Sequence, residues 1–411
     1  MTETPKGALG LKELVAMGIG GMIGGGIFSI LGLAVDVAGH AAPLAFLSGS
    51  LIALAAGYSY AKLALAFRSD GASFTYLERA FPTRPEVAGI AGWTVVVGYI
   101  GTLALYAFTF GAYAGHLLGT PDHAATRVLL SVGVLLLFMA INLMGAGTMG
   151  RAEDVVVYAK VVLLAVLGVA GFFTVDSSRF VPVFDRGISG ALLGGALIFV
   201  AYEGFQLITN AVLETRDPDR NVPRGIYGSI LITSAIYIAI AVVAVGTLDP
   251  AAIKAADEYA LAVVARPILG KAGVLLVDLA ALLATSSAIN ATLFGSARLA
   301  SEMAAERFAP AVFSFRSRTD VPVAGVTVIT ILAAFFAGLG SLAVIAAFSS
   351  MTFLLVSIPI VAALGLMSVT VVLLAYYLAA NDPMALAFTA AVYLSTTVAH
   401  VTFERLRRGS G

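Results

Sequence analysis

The chain has no cysteine, one tryptophan and four histidines in 411 residues. The missing cysteine excludes disulfides, thiol nucleophiles and thiolate metal sites. His40, His116, His123 and His400 all fall at the ends of apolar segments, and no two of them are spaced as metal ligands. No metal and no cofactor are therefore expected. Charge is equally scarce. Only 12% of residues are Asp, Glu, Lys or Arg, about half the roughly 25% of a soluble domain. Too few charged groups remain to cover a water-facing surface of this size. Twenty-four cations balance 24 anions, so nothing points to nucleic acid or an acidic partner. HExxH, GxSxG and paired aspartates inside apolar segments are also absent, which speaks against an intramembrane enzyme. The opening MTETPKGALGLKELVAMG carries no small-residue cleavage site, so no removable signal peptide is expected.

What fills the chain is apolar: 60% hydrophobic residues and a mean hydropathy of +0.98. Runs of about 20 such residues are the length that spans a bilayer. They fall at 14–37, 43–66, 87–117, 126–147, 154–175, 189–213, 225–247, 270–297, 323–340, 342–358, 360–380 and 384–403. Twelve spans predict an all-α polytopic protein with both termini on one side. The positive-inside rule selects the side. With the N-terminus cytoplasmic, inner segments hold 17 Lys and Arg against 6 outside, Arg127, Arg179, Arg186, Lys254, Arg266 and Lys271. One junction is irregular: Ser341 to Ala380 contains no charge. Either two short spans meet at Pro359 with almost no loop, or loop residues are missing near Ile358–Pro359.

The first span contains MGIGGMIGGGIF, Met17 to Phe28, in which six of twelve residues are glycine. Each costs a helix about 1 kcal/mol relative to alanine. In lipid, unwound backbone is tolerated only where it lines a cavity. A break over Met22 to Gly26 would leave amide N–H groups at the start of a second half-helix, which attracts a carboxylate. Carbonyls near Gly18 to Gly20 would face a cation. Close helix packing through Gly20-xxx-Gly24 and Gly21-xxx-Gly25 explains the same glycines. Span six adds FVAYEGF, with Glu203 and a glycine at mid-span. That carboxyl is too deep to snorkel, and an ionisable group at such depth marks function; a neutral Glu bonded to a neighbouring helix is the bland alternative. Interrupted spans in corresponding places of two halves indicate an inverted-repeat transporter.

These motifs resemble the amino acid–polyamine–organocation transporter superfamily. GIGGMIGGGIF is similar to its span-one signature, FVAYEGFQLITNAVLETRDPDRNVPRGI to its span-six motif and following loop, and SARLASEMAAERFAP to its span-eight exit. The resemblance covers about residues 10 to 325 and leaves the last two spans without a motif. It implies a single transmembrane domain of the leucine-transporter type over 1–411. Its first repeat would be 14–175, its inverted second repeat 189–358, with two peripheral spans at 360–403 and discontinuous helices one and six. The implied function is amino acid transport across the cytoplasmic membrane by alternating access, proton-coupled and sodium-independent. An exchanger, an amine carrier and a non-transporting sensor of the same fold stand beside it. By position, the amides of Met22, Ile23, Gly24, Gly25 and Gly26 would hold the substrate carboxylate. Carbonyls of Gly18, Ile19, Phe199, Val200 and Tyr202 would take its ammonium. Glu203 joins this set, with Phe199, Tyr202 and Phe205 as gate or packing. Tyr106, Phe108 and Ile289 are possible pocket liners, and the small residues around the site leave room for a range of apolar amino acids.

Lys160 lies about 9 Å into span five at 1.5 Å per residue. It either snorkels to the interface or, as the resemblance implies, occupies the place of a sodium ion beside Gly20, with Ser286 or Ser287 of span eight. An ammonium can neutralise the same converging oxygens and, unlike sodium, can release a proton. Asp278 reads as a solvated span terminus, Asn142 and Asn290 as interhelical hydrogen bonds, and Asn210 as a cap for span six.

Overall fold

Helices here end where glycine, proline or a left-handed residue stops them. The computed structural model describes residues 9–68, 75–76, 78–79, 85–121, 123–145, 150–317, 319–357 and 364–381, and short stretches within 383–398. The Ile358–Pro359 junction and His400 lie outside the described residues. The elements in chain order are α1 (Leu11–Met22), α2 (Gly26–Ala38), α3 (Ala42–Phe67), α4 (Pro85–Leu117), α5 (Ala124–Leu143) and α6 (Gly150–Phe172). There follow α7 (Gly187–Leu197), α8 (Leu207–Asn210), α9 (Pro218–Thr247), α10 (Pro250–Ala256) and α11 (Ala260–Ala305). The last three are α12 (Val323–Leu339), α13 (Leu342–Ser357) and α14 (Leu364–Asn381). Within α11 the chain changes direction at Gly270, where φ is 65°. A positive φ of this kind is readily adopted only by glycine.

Among the described residues the sole strand-like contact is an isolated bridge between Leu9 and Thr215. There the Leu9 N–H donates to Glu214 O (3.0 Å) and the Arg216 N–H to Leu9 O (2.8 Å). This ties the start of span one to the loop after span six. Six helical runs are long and apolar enough to cross a bilayer by length and composition, and four shorter apolar helices accompany them.

The outward faces are apolar too. Val162 and Val169 of α6, Leu129 of α5 and Phe335 of α12 are all at least 60% exposed. In water such a surface would drive association; against lipid tails it is satisfied. Burial runs the other way for polar groups: Lys160, Glu203 and Asp278 are each under 8% exposed. The molecule is an all-helical, multi-pass membrane protein.

Candidate functional site

The glycines of span one do break it. The Ile23 N–H still donates to Ile19 O at 2.7 Å, but Ile23 itself leaves the helix at φ −82°, ψ 56°. A new helix starts at Gly26. Among the described residues, the amides of Gly24, Gly25, Gly26 and Phe28 have no backbone acceptor, and that of Ile27 meets the Tyr237 hydroxyl. They form the bare N-terminus that a helix leaves to a ligand or side chain. The break, Ile23 to Gly25, lies within the Met22–Gly26 stretch that the sequence marks, though not all of that stretch's amides are freed. The Met22 and Ile23 amides are spent inside α1, and the Gly18 and Ile19 carbonyls serve that last turn. The carbonyls left over are those of Gly20 and Gly21.

Span six is interrupted as well. After α7 the chain tightens into a 3-10 turn over Ile198–Tyr202. Glu203 is extended at ψ 134°, and Gly204 takes φ 134°. Regular structure returns only in the four residues of α8. Ser350 of α13 fills the gap left by the lost helical bonds. It accepts from the Val200 N–H at 2.9 Å and donates to Leu197 O at 2.7 Å. Val200 O accepts from the Glu203 N–H at 3.1 Å, which leaves it one lone pair.

The two breaks touch backbone to backbone. A methyl on Gly21 would lie 2.9 Å from the Cα of Gly204, and one on Gly26 would lie 3.0 Å from the Cα of Ala201. A methyl on Gly204 would sit 2.6 Å from the Met22 nitrogen. Only glycine permits this approach. Tyr237 of α9 binds the crossing together. Its O–H donates to Met22 O at 2.8 Å and lies 3.3 Å from Ala201 O. Tyr237→Phe leaves those buried carbonyls without their donor, which costs about 1–3 kcal/mol. A lowered melting temperature in detergent, with unchanged expression, is the expected result.

The wall facing the bare amides comes from α4 and α11. A methyl on Gly24 would be 3.4 Å from the Tyr106 Oη and 3.1 Å from the Ala288 Cβ. One on Gly25 would be 3.1 Å from the Thr285 Cγ2. Tyr106 is therefore at the break, as expected. Phe108 is not: its ring lies under the Arg127 guanidinium at 3.8 Å. Ile289 is fully buried on α11. Of the span-six aromatics, Phe205 packs edge-on against Tyr60 of α3 (5.7 Å), and Tyr202 packs against Tyr237 (5.5 Å). The Tyr202 O–H donates to Phe46 O at 2.8 Å. Both rings are structural props joining span six to α3 and α9. Phe199 is fully buried beside them.

Glu203 accepts from Gln206 Nε2 at 2.5 Å through one carboxyl oxygen. The other oxygen is buried with no hydrogen-bond partner among the described residues. Gln206 is held in turn by the Gly204 N–H (2.9 Å). Tyr99 and Tyr106 of α4 are within electrostatic reach of this carboxyl, and Tyr106 also lies at the break in span one.

Lys160 does not snorkel. It is 2% exposed, while its neighbour Tyr158 is 62% exposed. One turn earlier on the same face, Val157 would contact a methyl on Gly20 at 2.9 Å. Lys160 thus lies on the buried face of α6, the face that meets α1 through Val157. On α11 the residues that reach the break are Thr285 and Ala288; Ser286 and Ser287 are half-buried beside them. Asp278 departs from the sequence reading. It is 2% exposed and pairs with His116, not with solvent. Asn142 and Asn290 form the interhelical bond anticipated for them, at 2.9 Å. Asn210 is the last residue of α8. Tyr237, Ser350, Thr285 and Gln206 were not singled out from sequence. A tyrosine in the aliphatic run IYIAIAV could have been, since a buried phenol needs a partner.

Two broken spans crossing at glycine, with unpaired amides, a buried carboxyl and a buried lysine, are the features of a helical membrane transport protein. The model of the amino acid permease family matches residues 9–399. The chain belongs to that family. It is 33% identical over 349 residues to an uncharacterised protein of Methanocaldococcus jannaschii, covering 85% of this chain and 80% of that one. It is 32% identical over 356 residues to the inner membrane transport protein YbaT of Escherichia coli, covering 84% and 80%. The methylthioribose transporter of Bacillus subtilis is 27% identical over 319 residues, covering 74% and 68%.

Proposed function

We propose that the protein is a secondary active transporter carrying amino acids across the cytoplasmic membrane by alternating access, proton-coupled and sodium-independent. The observation that carries this is the set of amides at Gly24, Gly25, Gly26 and Phe28 without backbone acceptors, together with the buried Glu203 oxygen that has no partner among the described residues. A zwitterion satisfies both, its carboxylate on the amides and its ammonium on the carboxyl and the Gly20 and Gly21 carbonyls. Such charge-assisted hydrogen bonds contribute about 1.5–3 kcal/mol each. The crossing of spans one and six fits two inverted repeats, 14–175 and 189–358, with 360–403 peripheral, twelve spans in all and both termini cytoplasmic.

Lys160 supports sodium independence. Its side chain is buried on the face of α6 that meets α1 through Val157, and an ammonium there would neutralise the helix-end carbonyls in place of a cation. Loss of its proton in one conformation would couple proton movement to the rocking of the helices.

A thermal-shift screen of the twenty amino acids, with and without sodium and at two pH values, tests this. Stabilisation by a subset of amino acids, independent of sodium, is expected. Stabilisation that requires sodium refutes it. The relationship to a methylthioribose transporter favours one second reading, a carrier of solutes lacking the amino acid carboxylate. In that case no amino acid shifts the melting curve.

A further inference from the structure

The transport reading leaves one buried ionic cluster unused, at the end of the molecule opposite α1. His116 closes α4, and its Nδ1 lies 3.0 Å from both carboxyl oxygens of Asp278 on α11. The imidazole is stacked on Tyr259, with centroids 4.5 Å apart and planes 17° apart. Tyr259 ends the 3-10 turn Asp257–Tyr259, which follows α10. Both α10 and this turn pack on α2, the half of span one beyond the break. Lys254 of α10 reaches Asp36 of α2 at 2.6 Å. The α10 hairpin is thus a lid with two anchors. Lys254 holds it to the far half of span one, and Tyr259 holds it to α4 and α11.

We propose that the His116–Asp278 pair is a proton-operated latch for this lid. The proposal rests on the transport reading and adds to it a second proton site, at the mouth of the pathway. A carboxylate this buried requires a donor. Arginine or lysine would supply one at any pH, whereas imidazole ordinarily changes charge between about pH 5 and 8. As imidazolium, His116 makes a charge-assisted bond to Asp278 and a cation–π contact with Tyr259. As neutral imidazole it keeps one ordinary hydrogen bond, and the stack loses its charge. Acidity on that face therefore shuts the lid. The His116 side chain is 21% exposed beside a cleft lined by Pro121, Ala124, Arg127, Glu258 and Tyr259, so protons can reach it. The other titratable and charged groups facing the pair are Tyr113, one turn back on α4, and Arg127 and Glu258 at the cleft. Arg127 and Glu258 offset each other in charge. Asp36 and Lys254 are already paired on the lid.

The absence of cysteine supplies the assay. Ala281 is fully buried, one turn inward from Asp278 and one turn before Thr285. Ala281→Cys places a single thiol under the lid; Ser177→Cys, exposed in the α6–α7 connection, is the reference. In vesicles, a membrane-impermeant maleimide added from the lid side reads the ratio of the two labelling rates. With His116 present, the ratio falls by about fivefold between about pH 8 and pH 6, the low end of ordinary site-to-site coupling. Adding His116→Asn removes that pH dependence. Tyr259→Leu, which keeps the pair but deletes the stack, raises the ratio at both pH values. A ratio independent of pH with His116 present overturns the latch. So does an unchanged pH dependence in His116→Asn, or a variant that only lowers the melting temperature. No substrate enters this assay, so its failure leaves the amino acid binding screen standing, and the reverse.

Discussion

Gly204→Ala abolishes uptake in proteoliposomes and lowers the melting temperature. Two independent penalties act at that position. The backbone sits at φ 134°, a region that side chains avoid, and the new methyl would press into Met22 N at 2.6 Å. Neither contact is with a flexible side-chain end that could swing aside. The combined cost is about 2 kcal/mol or more. Because Gly204 lies on the crossing itself, relief requires spans one and six to separate, which misplaces both the bare amides and the Glu203 carboxyl. Gly133→Ala is the control. That glycine has open space around it, and the substitution leaves melting and uptake unchanged. Equal behaviour of the two variants would mean that the contact between the breaks has no consequence for the fold.

Lys160→Ala is the second large effect. The substitution removes a cation buried at 2% exposure against the α1 side of α6. It also leaves a cavity on the buried face of α6. Proton-driven uptake falls by at least about tenfold, within the range of measured coupling between sites. The fall persists at every pH where the parent protein works. A Lys160→Ala protein that retained full, pH-dependent uptake would remove lysine from the coupling mechanism. Uptake by the parent protein that required a sodium gradient would remove the proposed substitution of lysine for sodium.

The interruptions were legible in the sequence because they are local. Six glycines in twelve residues cannot sustain a helix unaided, and FVAYEGF puts a carboxyl where lipid does not accept one. The buried face of α6 was legible only in outline, since Lys160 within a turn or two of an interface fits two environments. What escaped depends on contacts between distant segments. The Tyr237 bond to Met22 spans 215 positions and the His116–Asp278 pair 162. Asp278, near a span end, had every local mark of a solvated residue until α4 was brought against it. The break lies where the sequence puts it, but the amides it frees begin at Gly24 and not at Met22, for a related reason. Glycine density locates the weak stretch, but Tyr237 and the packing of Ala201 against Gly26 decide which peptide opens.

The central claim is that the amides left without backbone acceptors after Ile23 clasp a carboxylate. Calorimetric titration of the purified protein with a stabilising amino acid and with its decarboxylated amine tests it most directly. Losing two charge-assisted hydrogen bonds predicts an amine at least about a hundredfold weaker. An amine that binds as tightly as its parent acid would contradict the account.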